Sequence, residues 1–138
     1  MTNRILRRAA VSVAVAGVGV SAYLTWVHYH PGALVCTKGG GCETVQRSHY
    51  AALLGVPVAV YGLAAWSAVL GLALWDSPEA RLGVATIALG SLAFVAYLVV
   101  LQLSVIHAVC VWCMVNDLGL VPALAALAVA RVLREGGT

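Results

Sequence analysis

The feature that most constrains this chain is a run of about 20 apolar residues that occurs four times along it. The four runs cover roughly residues 9–27, 55–75, 82–105 and 109–132. A helix of this length and composition crosses the hydrocarbon core of a bilayer. Of the 138 residues, 62% are hydrophobic and only 9% are charged, which leaves too little polar surface for a small water-soluble domain. We therefore predict one all-α domain over residues 1–138, an integral membrane four-helix bundle.

The N-terminus has a second interpretation as a secretory signal peptide. A basic start precedes the first apolar run, and Val20-Ser21-Ala22 is compatible with a cleavage site. The run continues to Val27, however, which is longer than the apolar region of a typical signal peptide. We therefore interpret it as a retained first span.

The basic residues predict the orientation of the bundle. Six arginines fall on one side of a four-span chain, whereas Lys38 and Arg47 fall on the other side. Short cytoplasmic loops carry an excess of Lys and Arg, so both chain ends are predicted to be cytoplasmic. The connection from about residue 28 to 54 and the turn around 104–108 are then extracytoplasmic. The net charge of +3 is too small and too localised to indicate nucleic-acid binding. The six arginines are Arg4, Arg7, Arg8, Arg81, Arg131 and Arg134.

All four cysteines occur in two pairs on the predicted extracytoplasmic side. Cys36 and Cys42 enclose Thr-Lys-Gly-Gly-Gly, and Cys110-Val-Trp-Cys113 opens the fourth apolar run. Cysteines on the oxidising side of a membrane can form and exchange disulfides. The triple glycine gives the first loop the mobility that direct thiol attack requires, and a helix N-terminus stabilises a thiolate at the second pair. The pattern predicts a thiol–disulfide relay with these four cysteines as catalytic residues.

Other uses of the cysteines fit the sequence less well than this relay. A c-type haem site needs His directly after the second Cys of C-x-x-C, where this chain has Met114. A four-cysteine zinc site is disfavoured because zinc prefers short, rigid knuckles rather than a triple-glycine loop, so no metal is expected. A non-enzymatic membrane scaffold with structural disulfides remains as an alternative.

Local signals predict two further features. Residues 43–54 can form a short amphipathic half-helix along the membrane surface, ended by Gly55-Val56-Pro57. Pro57 is expected in the first turn of the second span. Ser77 and Pro78 are suited to the N-cap and first helical position of the third span.

Three segments together resemble the vitamin K epoxide reductase (VKOR) family, in particular its bacterial thiol-oxidase branch. They are Cys36-Thr-Lys-Gly-Gly-Gly-Cys42 with the following residues to Ser48, Gly55-Val-Pro-Val-Ala-Val-Tyr-Gly62, and Cys110-Val-Trp-Cys113. The likeness covers nearly the whole chain. An unrelated quinone-linked thiol oxidase of the DsbB type also has four spans and two cysteine pairs. It carries C-x-x-C in the first external loop, so this chain, with C-x-x-C opening the last span, is less similar to it.

The resemblance implies a bundle around a quinone, capped by the half-helix, in the inner membrane of a bacterium. Electrons would come from a separate extracytoplasmic thioredoxin-like (DsbA-type) dithiol protein. By the same resemblance, Cys36 forms the mixed disulfide with that partner, and Cys42 then attacks Cys110. Cys113 passes the electrons to ubiquinone or menaquinone. The products are a disulfide in the partner and a quinol.

Four residues are candidate quinone contacts. By the resemblance, Ser48 matches a polar residue near the quinone. Asn116 and Asp117 lie inside an apolar run, where a polar or ionisable residue indicates a functional site. His107 precedes Cys110 by one turn and could support its thiolate. Vertebrate members of the family carry Tyr where this chain has Asp117, so reduction of quinones or quinone epoxides in the vitamin K manner is kept only as an alternative.

Overall fold

Four long apolar helices make up most of the described chain. A computed structural model describes residues 3–30, 52–108 and 111–136. The helices that are long and apolar enough to cross a membrane are Asn3–Tyr29, Val58–Trp75, Pro78–Ile106 and Val111–Arg134. Each overlaps one of the four predicted runs. The predicted all-α, four-helix membrane bundle is therefore confirmed, and the chain is a multi-pass membrane protein.

Two of the four spans change helix type along their length. Helices α1 (Asn3–Tyr29) and α2 (Val58–Trp75) are α-helical throughout. Helix α3 (Pro78–Val100) continues as a π-helical segment, Leu101–Ile106. The fourth span starts as the short helix α4 (Val111–Met114), becomes π-helical over Val115–Leu120, and ends as α5 (Val121–Gly136).

The start of α3 shows the predicted capping chemistry. The Ser77 hydroxyl accepts a hydrogen bond from the Ala80 backbone N–H at 3.0 Å, and Pro78 follows as the first helical residue. A hydroxyl acceptor satisfies one of the N–H groups that the first turn leaves unpaired, and proline has no N–H to lose there. The third span therefore begins at Pro78 rather than near residue 82.

The predicted half-helix is wrong over its described end. Ala52–Leu53 (β1) and Val56–Pro57 (β2) form a small antiparallel hairpin, with Leu53 paired to Val56. Leu54 and Gly55 have φ values of 56° and 79°, the two left-handed positions of a tight hairpin turn. Pro57 lies at the N-cap of α2, just before its first turn. The remainder of the predicted half-helix lies outside the described residues.

The bundle core is built from small residues that let the helices approach closely. Ala10 and Ala14 of α1 pack in one buried cluster with Ala88 of α3 and Ala128 of α5. In a membrane the helices gain little from the hydrophobic effect against one another, so close packing of small side chains stabilises their association. Helix α1 packs mainly on α2, and α3 packs mainly on α5.

Ion pairs around Asp76, in the turn after α2, hold one end of the bundle together. Arg81 of α3 donates to both carboxylate oxygens, at 3.0 and 3.3 Å. Arg131 of α5 also donates to Oδ1, and Nε of Arg7 in α1 lies 3.5 Å from Oδ2. Hydrogen bonds from Arg81 and Arg131 outweigh the effect of desolvation and lower the pKa of Asp76 to about 2. The cluster joins α1, α3 and α5 to the turn that links the second and third spans.

Candidate functional site

A cavity of about 450 Å³ lies inside the bundle and is lined by residues from all four spans. Its walls are mostly aliphatic, with contributions from Leu24, Val69, Leu98 and Leu124. On α2 the lining residues fall between Val58 and Val69, ahead of the turn that carries Asp76. The cavity is therefore displaced toward the end of the bundle opposite the arginine cluster. Its volume falls within the range of about 300–1,000 Å³ that is usual for small-molecule sites.

The polar side chains that line this apolar cavity include four from the first, third and fourth spans. Ser21 belongs to α1, Gln102 to the π-helical segment of the third span, and Asn116 and Asp117 to that of the fourth. Gln102 and Asp117 are each only 3% exposed. A π-turn inserts an extra residue into a helix, which changes the direction of the side chains around it, and such turns are frequent at functional sites. Both π-helical segments therefore place a buried polar side chain on the same cavity.

A chain of two hydrogen bonds, which we call the Trp66–Asn116 arm, reaches from α2 to the buried Asp117. Trp66 Nε1 donates to Asn116 Oδ1 at 2.8 Å, and Asn116 Nδ2 donates to Asp117 Oδ1 at 3.0 Å. The other carboxyl oxygen of Asp117, Oδ2, has no hydrogen-bond partner among the described residues. Burying an unpaired carboxyl oxygen costs free energy, so Oδ2 is a candidate to meet a molecule held in the cavity.

The arm depends on a close approach between α1 and α2. A Cβ atom at Gly17 would lie 2.1 Å from Cδ2 of Trp66, so only glycine leaves room for the indole. Trp66 is 4% exposed and belongs to the buried core. The close packing of Gly17 in α1 therefore sets the position of the Trp66 indole, whose Nε1–H donates to Asn116.

Cys113 lies at the same cavity, in the first turn of the fourth span. Its side chain is half-buried and packs in a small apolar cluster with Ile106 and Trp112, among others. The Trp112 ring also contacts Tyr23 of α1, with 5.1 Å between ring centroids. The Cys113 thiol and the Asn116–Asp117 pair therefore line the same apolar cavity. This arrangement is suited to electron transfer from sulfur to a lipid-soluble molecule.

The candidate residues divide into those that the structure brings together and those that it does not describe. Asn116 and Asp117 line the cavity beside Cys113. His107 ends the third span with a left-handed φ of 56°, is exposed, and does not line that cavity. Its suggested support of the Cys110 thiolate stays a prediction. The candidates outside the described residues are Cys36, Cys42, Ser48 and Cys110.

Sequence reasoning missed several residues that line the cavity. Gln102 is a polar residue in the middle of the third apolar run, and like Asp117 it is a candidate functional residue because a polar group inside a span is costly. Trp66 is buried in the core and also donates a hydrogen bond to Asn116. Tyr61 lines the cavity and donates from its hydroxyl to the Leu53 carbonyl at 2.9 Å, tying the hairpin to α2. The sequence carried no signal for these last two contacts, because both are tertiary.

Within residues 3–30, 52–108 and 111–136, no three His, Cys, Asp or Glu side chains come together as a metal site. The donor set at the cavity, an amide, a carboxyl and a thiol in apolar surroundings, fits a flat organic molecule with hydrogen-bonding carbonyl groups. A quinone has this character, and the unpaired Asp117 Oδ2 provides a position at which one of its carbonyl oxygens can be met.

Comparison with known protein families gives a match over most of the chain. The model described as the vitamin K epoxide reductase family matches residues 8–129. The matched region includes all four cysteines and nearly all of the four spans.

Proposed function

This chain belongs to the vitamin K epoxide reductase family of quinone-linked oxidoreductases, and on that premise we propose that it is a membrane quinone-dependent thiol oxidase. Its proposed electron donor is a separate extracytoplasmic thioredoxin-like dithiol protein, and its proposed acceptor is ubiquinone or menaquinone. The reaction leaves a disulfide in the donor and a quinol in the membrane.

The observation that carries this proposal is the placement of Cys113 on an apolar intramembrane cavity that also holds a buried amide and carboxyl. A thiol that exchanges only with soluble proteins has no need of a chamber among four membrane spans. Aliphatic walls suit the ring of a lipid-soluble quinone, and Asn116 and Asp117 offer hydrogen-bonding groups for its carbonyls. This combination favours a thiol oxidase over a scaffold held by inert disulfides.

In the proposed relay, a thiolate of the donor protein attacks a Cys36–Cys42 disulfide at Cys36 and releases the Cys42 thiolate. Cys42 then attacks Cys110 in a Cys110–Cys113 disulfide and releases Cys113. Each exchange breaks one S–S bond and forms another. The donor's second thiol attacks its mixed disulfide, completes the donor disulfide and releases Cys36. Cys36 then attacks Cys42, which re-forms the Cys36–Cys42 disulfide and releases Cys110. The resulting Cys110–Cys113 dithiol gives two electrons and two protons to the quinone, with Cys113 next to the quinone, as the Cys110–Cys113 disulfide re-forms. The sum is donor dithiol plus quinone giving donor disulfide plus quinol.

The proposed orientation places the cysteines on the extracytoplasmic side of a bacterial inner membrane, with both chain ends in the cytoplasm. Arg7, Arg81 and Arg131 converge on Asp76 at one end of the bundle, and the cavity with Cys113 is displaced toward the other end. Arginines at the cytoplasmic end agree with the general distribution of basic residues in membrane proteins.

The test is oxidation of a reduced thioredoxin-like protein by the purified chain in detergent, with ubiquinone or menaquinone analogues as acceptor. We expect turnover by the wild type and none by Cys113→Ala. The matched control is Leu118→Ala, since Leu118 lies in the same span but is exposed, and it should keep wild-type turnover. Failure of the wild type with both quinones would contradict the proposed function, and turnover by Cys113→Ala would remove Cys113 from the relay.

A further inference from the structure

We propose that Asp117 is the proton donor for quinone reduction and that the Trp66–Asn116 arm is the device that directs its proton-bearing oxygen at the quinone. This inference rests on the proposed function and adds a catalytic residue and two positioning residues to it. The observation behind it is that Asp117, only 3% exposed, lines the cavity and leaves its Oδ2 without a partner among the residues described.

The direction of each hydrogen bond in the arm follows from which side-chain atoms can donate and which can accept. An indole Nε1–H can only donate, so the Asn116 atom that faces Trp66 must be the acceptor Oδ1. The Asn116 Nδ2 group is then left to face Asp117, where it donates to Oδ1. Because Oδ1 accepts this hydrogen bond, Oδ2 is the oxygen left to carry a proton when the carboxyl group is protonated. The chain of bonds thus fixes which carboxyl oxygen carries the transferable proton.

Asp117 and Cys113 also lie close to each other along the fourth span, on the side that faces the cavity. They are four residues apart in sequence, and both line the cavity. Residues at this separation lie near one face of a helix. A molecule held between them receives electrons from the sulfur side and a proton from the carboxyl side.

The proton balance closes with groups that the proposed function already supplies. Reduction of a quinone to a quinol takes two electrons and two protons, and oxidation of the Cys110–Cys113 dithiol releases the same number of each. Asp117 gives its Oδ2 proton to one quinone oxygen, so that an O–H bond forms as the carboxyl O–H bond breaks. The carboxylate then recovers a proton from the pair released by the thiols. Asp117 is unchanged over the cycle.

The first test is Asp117→Asn, which preserves the shape and the acceptor for Asn116 but removes the acidic proton. The introduced amide can still donate a hydrogen bond to a quinone carbonyl. We expect kcat to fall by about 100-fold or more, in the range of general acid catalysis, while the KM for a short-chain ubiquinone changes less than about threefold. Quinone affinity, followed by quenching of tryptophan fluorescence, should likewise be retained. Asp117→Glu keeps the acid and should be faster than Asp117→Asn.

The positioning role is tested with Trp66→Phe, which keeps an aromatic ring in the core but removes the Nε1 donor of the arm. The matched control is Trp75→Phe, because Trp75 is an exposed residue at the end of α2. We expect Trp66→Phe to lower kcat by about tenfold with quinone affinity retained, and Trp75→Phe to behave as wild type. Disulfide exchange from the donor protein to the cysteines, measured without quinone, should be the same in all these variants.

Several results would overturn the inference. A rise in KM with unchanged kcat in Asp117→Asn would make Asp117 a binding contact only. Equal rates for Asp117→Asn and Asp117→Glu, or full activity of both, would also contradict proton donation. These outcomes are distinct from failure of the proposed function, in which the wild type itself would not couple thiol oxidation to quinone.

Discussion

Replacing Gly17 by alanine tests the packing that holds the catalytic arm in place. The added Cβ would lie 2.1, 2.3 and 2.6 Å from Cδ2, Cε2 and Cε3 of Trp66. Non-bonded carbon atoms approach to about 3.5 Å, so the indole would have to move by about 1.5 Å. A shift of that size is enough to break the 2.8 Å hydrogen bond from Trp66 Nε1 to Asn116.

The expected cost follows from three contributions. Overpacking a closely packed core costs about 1–3 kcal/mol, and losing the Trp66–Asn116 hydrogen bond costs about 1 kcal/mol more. The higher helix propensity of alanine returns up to about 1 kcal/mol. We therefore expect Gly17→Ala to lower the free energy of unfolding by about 1–3 kcal/mol.

The assay is reversible unfolding in detergent, followed by circular dichroism, alongside quinone-dependent turnover. Gly19→Ala is the matched control, because it makes the same change two residues away in α1, where a Cβ meets nothing within 4 Å. It should be as stable as wild type or slightly more so. A double-mutant cycle with Trp66→Ala identifies the cause: the cost of Gly17→Ala should largely disappear when the indole is absent. Equal unfolding of the two alanine variants would refute the reasoning, and so would an undiminished cost without the indole.

Two further predictions concern the ends of the bundle. Asp76→Asn should lower the free energy of unfolding by about 1–2 kcal/mol near neutral pH. The pKa of Asp76 is about 2 instead of 3.8, and this difference reflects how much the fold stabilises the carboxylate; solvent screening reduces that stabilisation. Because the pKa of the folded state is lowered, the stability difference between wild type and Asp76→Asn should reach its full size above about pH 4 and disappear as the pH falls toward about 2. Glu79→Gln, which changes an exposed acid nearby, is the control in the same series of denaturation measurements. Tyr61→Phe removes the hydroxyl that donates to Leu53 and should raise amide hydrogen exchange in the hairpin without lowering global stability by more than about 1 kcal/mol; unchanged exchange would contradict the anchoring role.

The sequence was sufficient for features that depend on hydropathy or on local capping chemistry. The spans follow from apolar runs alone, and the start of α3 follows from Ser77 and Pro78, whose roles depend only on neighbouring backbone groups. Asp117 was identified because a buried acid in a span is costly wherever its partners lie.

The features that were missed depend on tertiary contacts. The hairpin replaced the end of a predicted helix because Leu54 and Gly55 take left-handed conformations that a hydropathy pattern does not encode. The π-helical segments were not predicted, since an extra residue in a turn is stabilised by what the side chains meet across the bundle. Gln102 lay inside an apolar run of the correct length and was counted as part of the span.

Gly17 and Asp117 lie in different spans, yet they are linked through two intervening side chains. Gly17 makes room for Trp66, Trp66 orients the Asn116 amide, and that amide leaves Asp117 Oδ2 as the carboxyl oxygen available to a molecule in the cavity. Two of these contacts are hydrogen bonds whose direction is fixed by a donor-only indole. A change at Gly17 should therefore lower kcat as well as stability, whereas Asp117→Asn should lower kcat alone. Comparing the two variants separates the packing of the arm from the chemistry at its end.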